Sequence, residues 1–168
     1  EAGFPKNIVN VVTGSGSGAG NHLITHPSVN KISFTGSTAV GQHIQRQAVD
    51  TMKMVNLELG GKNAILVFAD ADLERASQAA LISAFVNAGQ LCVSCSRLLV
   101  EDSVADEFIA LLKNKAAKLA VGDPSDETTL VGPMITKDQY ETALRYLEGA
   151  EAEGCEVVCG GEIGRAHV

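Results

Sequence analysis

The sequence has 168 residues, of which 45% are hydrophobic and 20% are charged, so it is a globular chain about the size of one ordinary domain. Thirteen Lys and Arg against twenty Asp and Glu give a net charge of −7, and the basic residues form no cluster. We therefore expect no binding to nucleic acid or to an anionic membrane through a charge patch, and no apolar run has the length of a membrane span.

Strand-like and helical patterns alternate from the N-terminus to the pair Gly60-Gly61. A helix is predicted from Ala39 to about Val49, because apolar residues recur there four positions apart. A glycine-rich stretch at 14–20 leads into a short helix that Pro27 ends. Strands are predicted where apolar residues run together or alternate, at 8–12, 31–35 and 55–59.

The same alternation continues beyond Gly61. The continuous apolar run 64–68 is typical of a strand that is buried on both faces, and further strands are predicted at 97–100 and 156–159. Helices are predicted at 73–88, capped by Asp70 or Asp72, at 103–119, capped by Ser103, and from Thr136, with a loop at 122–133. This alternation predicts an α/β fold with mostly parallel strands.

The pair Gly60-Gly61 is the predicted domain boundary. Each side of it holds fewer strands than a complete doubly wound sheet, so we expect two incomplete domains, at 1–60 and 61–161. The chain begins at Glu1 without Met or a signal peptide, and is therefore expected to be internal to a longer protein. Residues 162–168 reverse-translate as GAG ATC GGA AGA GCA CAC GTC, a common sequencing-adapter sequence, which predicts that the native protein diverges after Gly161.

Two glycine-rich turns are candidate phosphate-binding sites. Residues 14–20 do not fit G-x-G-x-x-G in any register, because Ala19 and Asn21 stand where the last glycine would be. Residues 36–41 have the glycine spacing of a P-loop, but Gln42-His43 replaces its Lys-Ser/Thr pair. This second turn lies between a strand and a helix, where free N–H groups favour an anion such as a pyrophosphate. An ordinary capped turn is the alternative.

The candidate reactive side chains are a cysteine and a glutamate. Cys92 follows a long helix and is either a nucleophile at a pocket mouth, an inert core thiol, or one half of a C-x-x-C redox or zinc pair with Cys95. Glu58 is either a solvated strand residue or a partly buried base. The four histidines show no ligand spacing and are expected at the surface: His22, His26, His43 and His167.

Three motifs follow one another along the chain in this order: Phe34-Thr-Gly-Ser-Thr-Ala-Val-Gly41, Leu57-Glu-Leu-Gly-Gly-Lys-Asn63 and Gly89-Gln-Leu-Cys92. Together they closely resemble the cofactor-turn, glutamate and cysteine motifs of the aldehyde dehydrogenase superfamily. The resemblance covers residues 1 to about 161, including Gly132-Pro133. It implies an incomplete Rossmann-like cofactor domain joined to an incomplete α/β catalytic domain of the aldehyde dehydrogenase fold.

The resemblance also implies roles for individual residues. Cys92 matches the nucleophile that forms a thiohemiacetal with an aldehyde, from which a hydride passes to NAD or NADP, and its N–H matches one oxyanion donor. Glu58 matches the base that activates water to hydrolyse the resulting thioester to a carboxylic acid. Gly16 matches a position that lets the adenosine side of the cofactor approach the backbone. The full set of matched cofactor-binding positions is Gly16, Gly36, Ser37, Thr38, Gly41, Glu58 and Leu59; no metal is implied.

Several family elements have no counterpart in this sequence: an upstream Asn, a Lys-containing segment, a downstream Glu-x-Phe motif and an oligomerisation strand. We therefore expect this chain to be inactive alone, and the intact protein to be a cytoplasmic homo-oligomer, either a dimer or a tetramer. One alternative is a CoA-acylating member, although such members usually lack the glutamate at position 58. The other is a zinc or redox module built on the cysteines Cys92, Cys95, Cys155 and Cys159.

Overall fold

A computed structural model describes residues 3–161 of the chain. The chain separates into two compact units, Glu1–Gly60 and Gly61–Val168, which are described below one at a time. The predicted adapter-derived tail at 162–168 and His167 lie outside the described residues. In the part that is described, no helix is both long and apolar enough to cross a membrane.

The first unit is a pair of parallel strands with two helices. A π-helical turn at Gly16–Gly20 leads into a short helix, and two strands pair in parallel from Lys31↔Met54 to Gly36↔Leu59. These strands and helices confirm the predicted ones at 31–35, 39–49 and 55–59 to within two residues. In chain order the elements are α1 (Asn21–Thr25), β1 (Lys31–Gly36), α2 (Thr38–Ala48), a 3-10 turn (Val49–Thr51) and β2 (Met54–Leu59).

Helix α2 forms because its sequence has a good start signal and one apolar face. The Ser37 hydroxyl accepts a hydrogen bond from the Val40 N–H at 3.4 Å, which is the usual role of a helix-capping serine. Ile44 and Ala48 are four positions apart, so they lie on the same face, and both are buried.

A buried lysine stabilises the loops of this unit. Lys53 is 8% exposed, and its Nζ donates hydrogen bonds to the carbonyl oxygens of His26 at 2.6 Å and Val29 at 2.7 Å. The ammonium group is thus removed from most water but not left without acceptors, as burial of a charge requires. These bonds connect the residue before β2 to the segment between α1 and β1.

Two predicted strands are wrong. Residues 8–12 and 156–159 form no strand, and Val9 and Val11 are 72% and 87% exposed. A strand is stabilised by a neighbour that completes its backbone hydrogen bonds. Within residues 3–161 neither segment has such a neighbour, so its apolar pattern alone does not produce a strand.

The second unit places helices against another parallel strand pair. Its core contains Val67 from a strand, Ala80 from one helix and Phe108 from another, and Phe108 is fully buried. In chain order the elements are β3 (Asn63–Val67), α3 (Leu73–Phe85), a 3-10 segment (Val86–Gly89), β4 (Cys95–Val100), α4 (Asp102–Ala116) and α5 (Lys137–Ala152). The strand pairing is parallel, and the predicted α/β class with parallel strands is confirmed.

The caps of these helices differ in part from the prediction. Asp72 caps α3 by accepting the Arg75 N–H at 3.0 Å, and Thr136 caps α5 by accepting the Gln139 N–H at 3.3 Å. Ser103, however, does not cap α4: the N-cap is Glu101, and the Ser103 hydroxyl donates to its carboxylate at 3.0 Å.

The prediction that residues 64–68 are buried on both faces is also wrong. Ile65 and Val67 belong to the core side together with α3 and α4, whereas Leu66 and Phe68 are 59% and 60% exposed. Successive side chains of a strand point to opposite faces, so the helices cover every second residue only. The other face of the β3–β4 pair has no cover among the described residues.

Candidate active site

The turn from β1 to α2 presents free backbone donors. Helix α2 starts at Thr38, and the N–H groups in the first turn of any helix have no acceptor within that helix. Because the helix dipole adds a partial positive charge at the same end, the turn at Gly36-Ser37-Thr38 is suited to a phosphate group.

Gly41 allows the end of β2 to approach this helix closely. A Cβ atom at position 41 would lie 2.8 Å from Cδ2 of Leu59, which is too close for two carbon atoms that are not bonded. It would lie 3.5 Å from Cδ1 of Leu57, which is an ordinary contact distance. The structure therefore brings two predicted cofactor-binding positions, Gly41 and Leu59, into contact.

A cavity of about 850 Å³ opens between α1, β1 and α2. Its volume is in the range of sites that hold small molecules. Gly16 lines one side and Ala39 and Val40 of the first turn of α2 line another, so the cavity connects two of the segments singled out in the sequence. A Cβ atom at position 16 would meet nothing within 4 Å, so the glycine leaves its backbone open to a ligand.

One polar pair interrupts the mostly apolar wall of this cavity. His43 on α2 lies with its Nε2 3.1 Å from Oδ1 of Asn21 at the start of α1, and both residues line the cavity. His43 is exposed, as predicted for the histidines, but the prediction assigned it no site. On a helical wheel position 43 shares a face with Ala39 and Val40, four and three positions earlier, and this spacing is the signal in the sequence that places His43 beside them at the cavity.

Glu58 lies near the carboxyl end of β2, opposite Thr35 of β1. Its side chain is exposed, which is the solvated alternative of the two that the sequence left open. Since Leu57 and Leu59 face Gly41 of α2, strand alternation directs the Glu58 carboxylate to the other face of the sheet.

The segment before Cys92 has an unusual backbone. Helix α3 ends at Phe85 rather than at Ala88, and Asn87, Ala88 and Gly89 all have left-handed backbone angles, with φ of 55°, 54° and 72°. Such angles are unfavourable for a residue with a Cβ such as Ala88, by about 1–2 kcal/mol. Strained residues of this kind occur preferentially at functional sites.

Cys92 itself lies in a tight turn with an exposed thiol. The turn spans Leu91–Ser94 and is closed by a hydrogen bond from the Ser94 N–H to the Leu91 oxygen at 3.1 Å. The thiol is free and exposed, whereas Cys95 at the start of β4 is half-buried. The alternative of an inert core thiol at position 92 therefore does not hold in this structure.

Neighbouring elements hold the cysteine turn. Asn63 at the start of β3 donates from Nδ2 to the oxygens of Cys92 at 2.8 Å and Ser94 at 3.3 Å. The Ser94 hydroxyl donates to the Ser83 oxygen of α3 at 2.7 Å, and Gln90 Oε1 accepts the Ile135 N–H at 2.8 Å. Asn63 ends the glutamate motif, but no role is predicted for it from the sequence, because nothing in a sequence shows a contact across 29 positions.

The remaining cysteines lie apart from this turn in the sequence. Cys155 and Cys159 are free and exposed and follow α5. Between residues 3 and 161, no three His, Cys, Asp or Glu side chains are grouped so that they could hold a metal ion.

The model of the aldehyde dehydrogenase family matches residues 1–167, and the chain therefore belongs to this family. It is 46% identical over 163 residues to an aldehyde dehydrogenase-like protein of Schizosaccharomyces pombe, covering 96% of this chain and 33% of the relative.

Solved structures give the same result. An NADP-dependent enzyme of E. coli superposes with a TM-score of 0.94 at 42% identity, over 97% of this chain and 34% of that one. An aldehyde dehydrogenase of Bacillus cereus, solved as its NAD+ complex, has a TM-score of 0.94 at 36% identity, over 98% of this chain and 34% of that one. The chain thus spans about a third of the length of each of these three proteins.

Proposed function

We propose that this chain supplies the nucleophile, the base and the pyrophosphate-binding turn of an NAD(P)-dependent dehydrogenase that oxidises an aldehyde to a carboxylic acid. The observation that carries the proposal is the Cys92 turn: a free, exposed thiol follows a run of left-handed residues in a chain that matches the aldehyde dehydrogenase family over nearly all its residues. The solved relatives that bind NAD+ or NADP support this choice of cofactor.

The residues of the first unit fit a dinucleotide. The start of α2 offers backbone N–H groups to a pyrophosphate through Gly36, Ser37 and Thr38. The cavity beside it is of suitable size for the adenosine side, with Gly16 at its edge. In this proposal the close contact between Gly41 of α2 and Leu59 of β2 supports the turn. When bound, the cofactor accepts the hydride that aldehyde oxidation releases.

The protein's own residues carry out the covalent chemistry. The Cys92 thiolate attacks the aldehyde carbon, and the charge that develops on the aldehyde oxygen is stabilised by the Cys92 N–H. After hydride loss the substrate is held as a thioester of Cys92. Glu58 then takes a proton from water, the oxygen of that water attacks the thioester carbon, and the acid leaves while the sulfur is reprotonated.

The decisive experiment replaces Glu58 by Gln in an enzyme of the relatives' full length that carries this segment. Because the amide cannot accept a proton from water, we expect one equivalent of NAD(P)H per site, followed by a stall with the acyl group on Cys92. Mass spectrometry of the stalled protein detects the acyl group. Glu127→Gln, in the exposed loop after α4, is the matched control and is expected to turn over normally.

Two further results bear on the proposal. The 168-residue chain alone is expected to produce no NAD(P)H from simple aldehydes, because it spans a third of the relatives' length. Normal steady-state turnover by the Glu58→Gln enzyme would overturn the role of the glutamate. Release of the acyl group to added coenzyme A, rather than to water, would favour the CoA-acylating alternative.

A cytoplasmic location and homo-oligomeric assembly of the intact protein remain predictions.

A further inference from the structure

One side chain that the proposed chemistry does not use bonds the cysteine turn at two places. Asn63 precedes the rest of β3, and its single amide nitrogen donates to two carbonyl oxygens of the turn, those of Cys92 and Ser94. A side-chain amide has two N–H bonds, so it can serve both acceptors at once. These two oxygens belong to the second and fourth residues of the Leu91–Ser94 turn.

The turn determines where the Cys92 N–H points. In a trans peptide the C=O and the following N–H point in opposite directions. The Leu91 oxygen is directed into the turn by its bond from the Ser94 N–H, so the Cys92 N–H is directed outward. Among residues 3–161 this N–H has no acceptor, which leaves it available to a ligand.

The segment before the turn is braced mainly within itself. The side-chain amides of Asn87 and Gln90 each donate to the other residue's backbone oxygen, at 3.3 and 3.1 Å, and neither bond reaches a residue of the Leu91–Ser94 turn. The orientation of the turn therefore rests on bonds from outside it, and Asn63 is the side chain that holds the Cys92 carbonyl itself.

We propose that Asn63 is a positioning residue: its amide clamps the Leu91–Ser94 turn so that the Cys92 thiol and the Cys92 N–H act on the same carbonyl group. This inference rests on the proposed function, in which Cys92 is the nucleophile. Loss of Asn63 then slows reactions that place negative charge on a carbonyl oxygen beside Cys92. It leaves reactions of the thiol without such a charge unchanged.

Two reagents separate these effects on the 168-residue chain. With p-nitrophenyl acetate, the Cys92 sulfur bonds to the carbonyl carbon, an oxyanion forms, and the C–O bond breaks to release p-nitrophenolate. With iodoacetamide, the sulfur displaces iodide from a saturated carbon and no oxyanion forms. Peptide mass spectrometry measures both rates at each cysteine, and the exposed Cys155 serves as the internal reference.

The variants are Asn63→Ala, Asn63→Asp, which keeps the shape but cannot donate, and Asn63→Gln, which retains the amide. Asn114→Ala, at an exposed position of α4, is the matched control. We expect the ratio of acylation to alkylation at Cys92 to fall about tenfold or more in Asn63→Ala and Asn63→Asp, since a misaligned donor loses most of its effect. Asn63→Gln is expected to recover part of the ratio, and Asn114→Ala to leave it unchanged.

The outcomes distinguish this inference from the proposed function. If Cys92 is acylated faster than Cys155 in the wild-type chain but the Asn63 variants keep the same ratio, the clamp is refuted and the nucleophile stands. If Cys92 is acylated no faster than Cys155, the nucleophile assignment fails and the clamp with it. Hydrogen exchange over residues 63–116 monitors the folding of each variant. If the ratio of acylation to alkylation at Cys92 falls only in variants that also lose protection against exchange, a positioning role is likewise refuted.

Discussion

Replacement of Lys53 by Met is expected to destabilise the first unit and to leave the second unchanged. The Lys53 ammonium is 8% exposed and holds two carbonyl oxygens, those of His26 and Val29, at 2.6 and 2.7 Å. Met retains the length of the side chain and most of its apolar contacts. It removes only the charge and the donors, so the effect isolates these two hydrogen bonds.

The magnitude follows from the two bonds. A hydrogen bond to a charged group contributes about 1.5–3 kcal/mol, and the better packing of Met offsets part of the loss, so a net cost of about 2–4 kcal/mol is expected. At about 1.4 kcal/mol per factor of ten, this corresponds to an increase in the opening equilibrium of the unit by about 30- to 700-fold.

Hydrogen exchange followed by mass spectrometry measures this effect in the full chain. Peptides from residues 31–59 of the Lys53→Met variant are expected to exchange faster than wild type or to lose their protection, because local opening governs exchange. Peptides from residues 63–116 are the internal reference, and Lys6→Met repeats the substitution at an exposed position. Unchanged exchange over 31–59 would refute the reasoning, as would an equal increase in both units.

Three further predictions concern the core, the cofactor turn and a loop. Phe108→Ala is expected to cost about 3–5 kcal/mol in the unfolding free energy of the second unit, measured by hydrogen exchange, because it empties a fully buried site. Gly41→Val is expected to cost the first unit about 1–3 kcal/mol by overpacking against Leu59, by the same measurement. The pKa of Asp123 and of Asp126 lies below the ordinary carboxyl value, since Ser125 and Thr128 donate hydrogen bonds to these carboxylates. Their contribution to loop stability is thus present at neutral pH and is lost as the pH falls from about 4 through the lowered pKa values, as NMR titration measures.

Each of these predictions has a matched control. Ile109→Ala, one position along α4 and 43% exposed, is expected to cost much less than Phe108→Ala. Gly149→Val, on α5 with open space around it, is expected to cause no steric effect of the kind at Gly41. Ser125→Ala is expected to raise the pKa of Asp123 towards its ordinary value. An Asp123 titration midpoint that is the same with and without this hydroxyl would contradict the assigned cause.

Local sequence signals predicted the elements whose stabilising partners are close along the chain. The cap at Asp72, one of two candidates, and the helix start at Thr136 were predicted because a capping side chain bonds a backbone N–H three positions away. The same kind of signal wrongly predicted Ser103 as the cap of α4. The N-cap residue is Glu101, and its carboxylate accepts hydrogen bonds from the Ser103 hydroxyl and from the N–H of Ala69 in a distant segment. Two apolar segments, 8–12 and 156–159, were predicted as strands although no strand pairs with them in the described residues.

The sequence by itself determined the α/β class, the parallel character of the strands and, through three short motifs, the family to which the chain belongs. These properties follow from hydrophobic periodicity and residue identity, which are local. Tertiary structure alone decided that Asn63 holds the Cys92 turn, that Lys53 holds the loop after α1, and that one face of β3 is open. Each of these depends on which groups meet across many positions of the chain, and distance in space is not encoded in any short stretch of sequence.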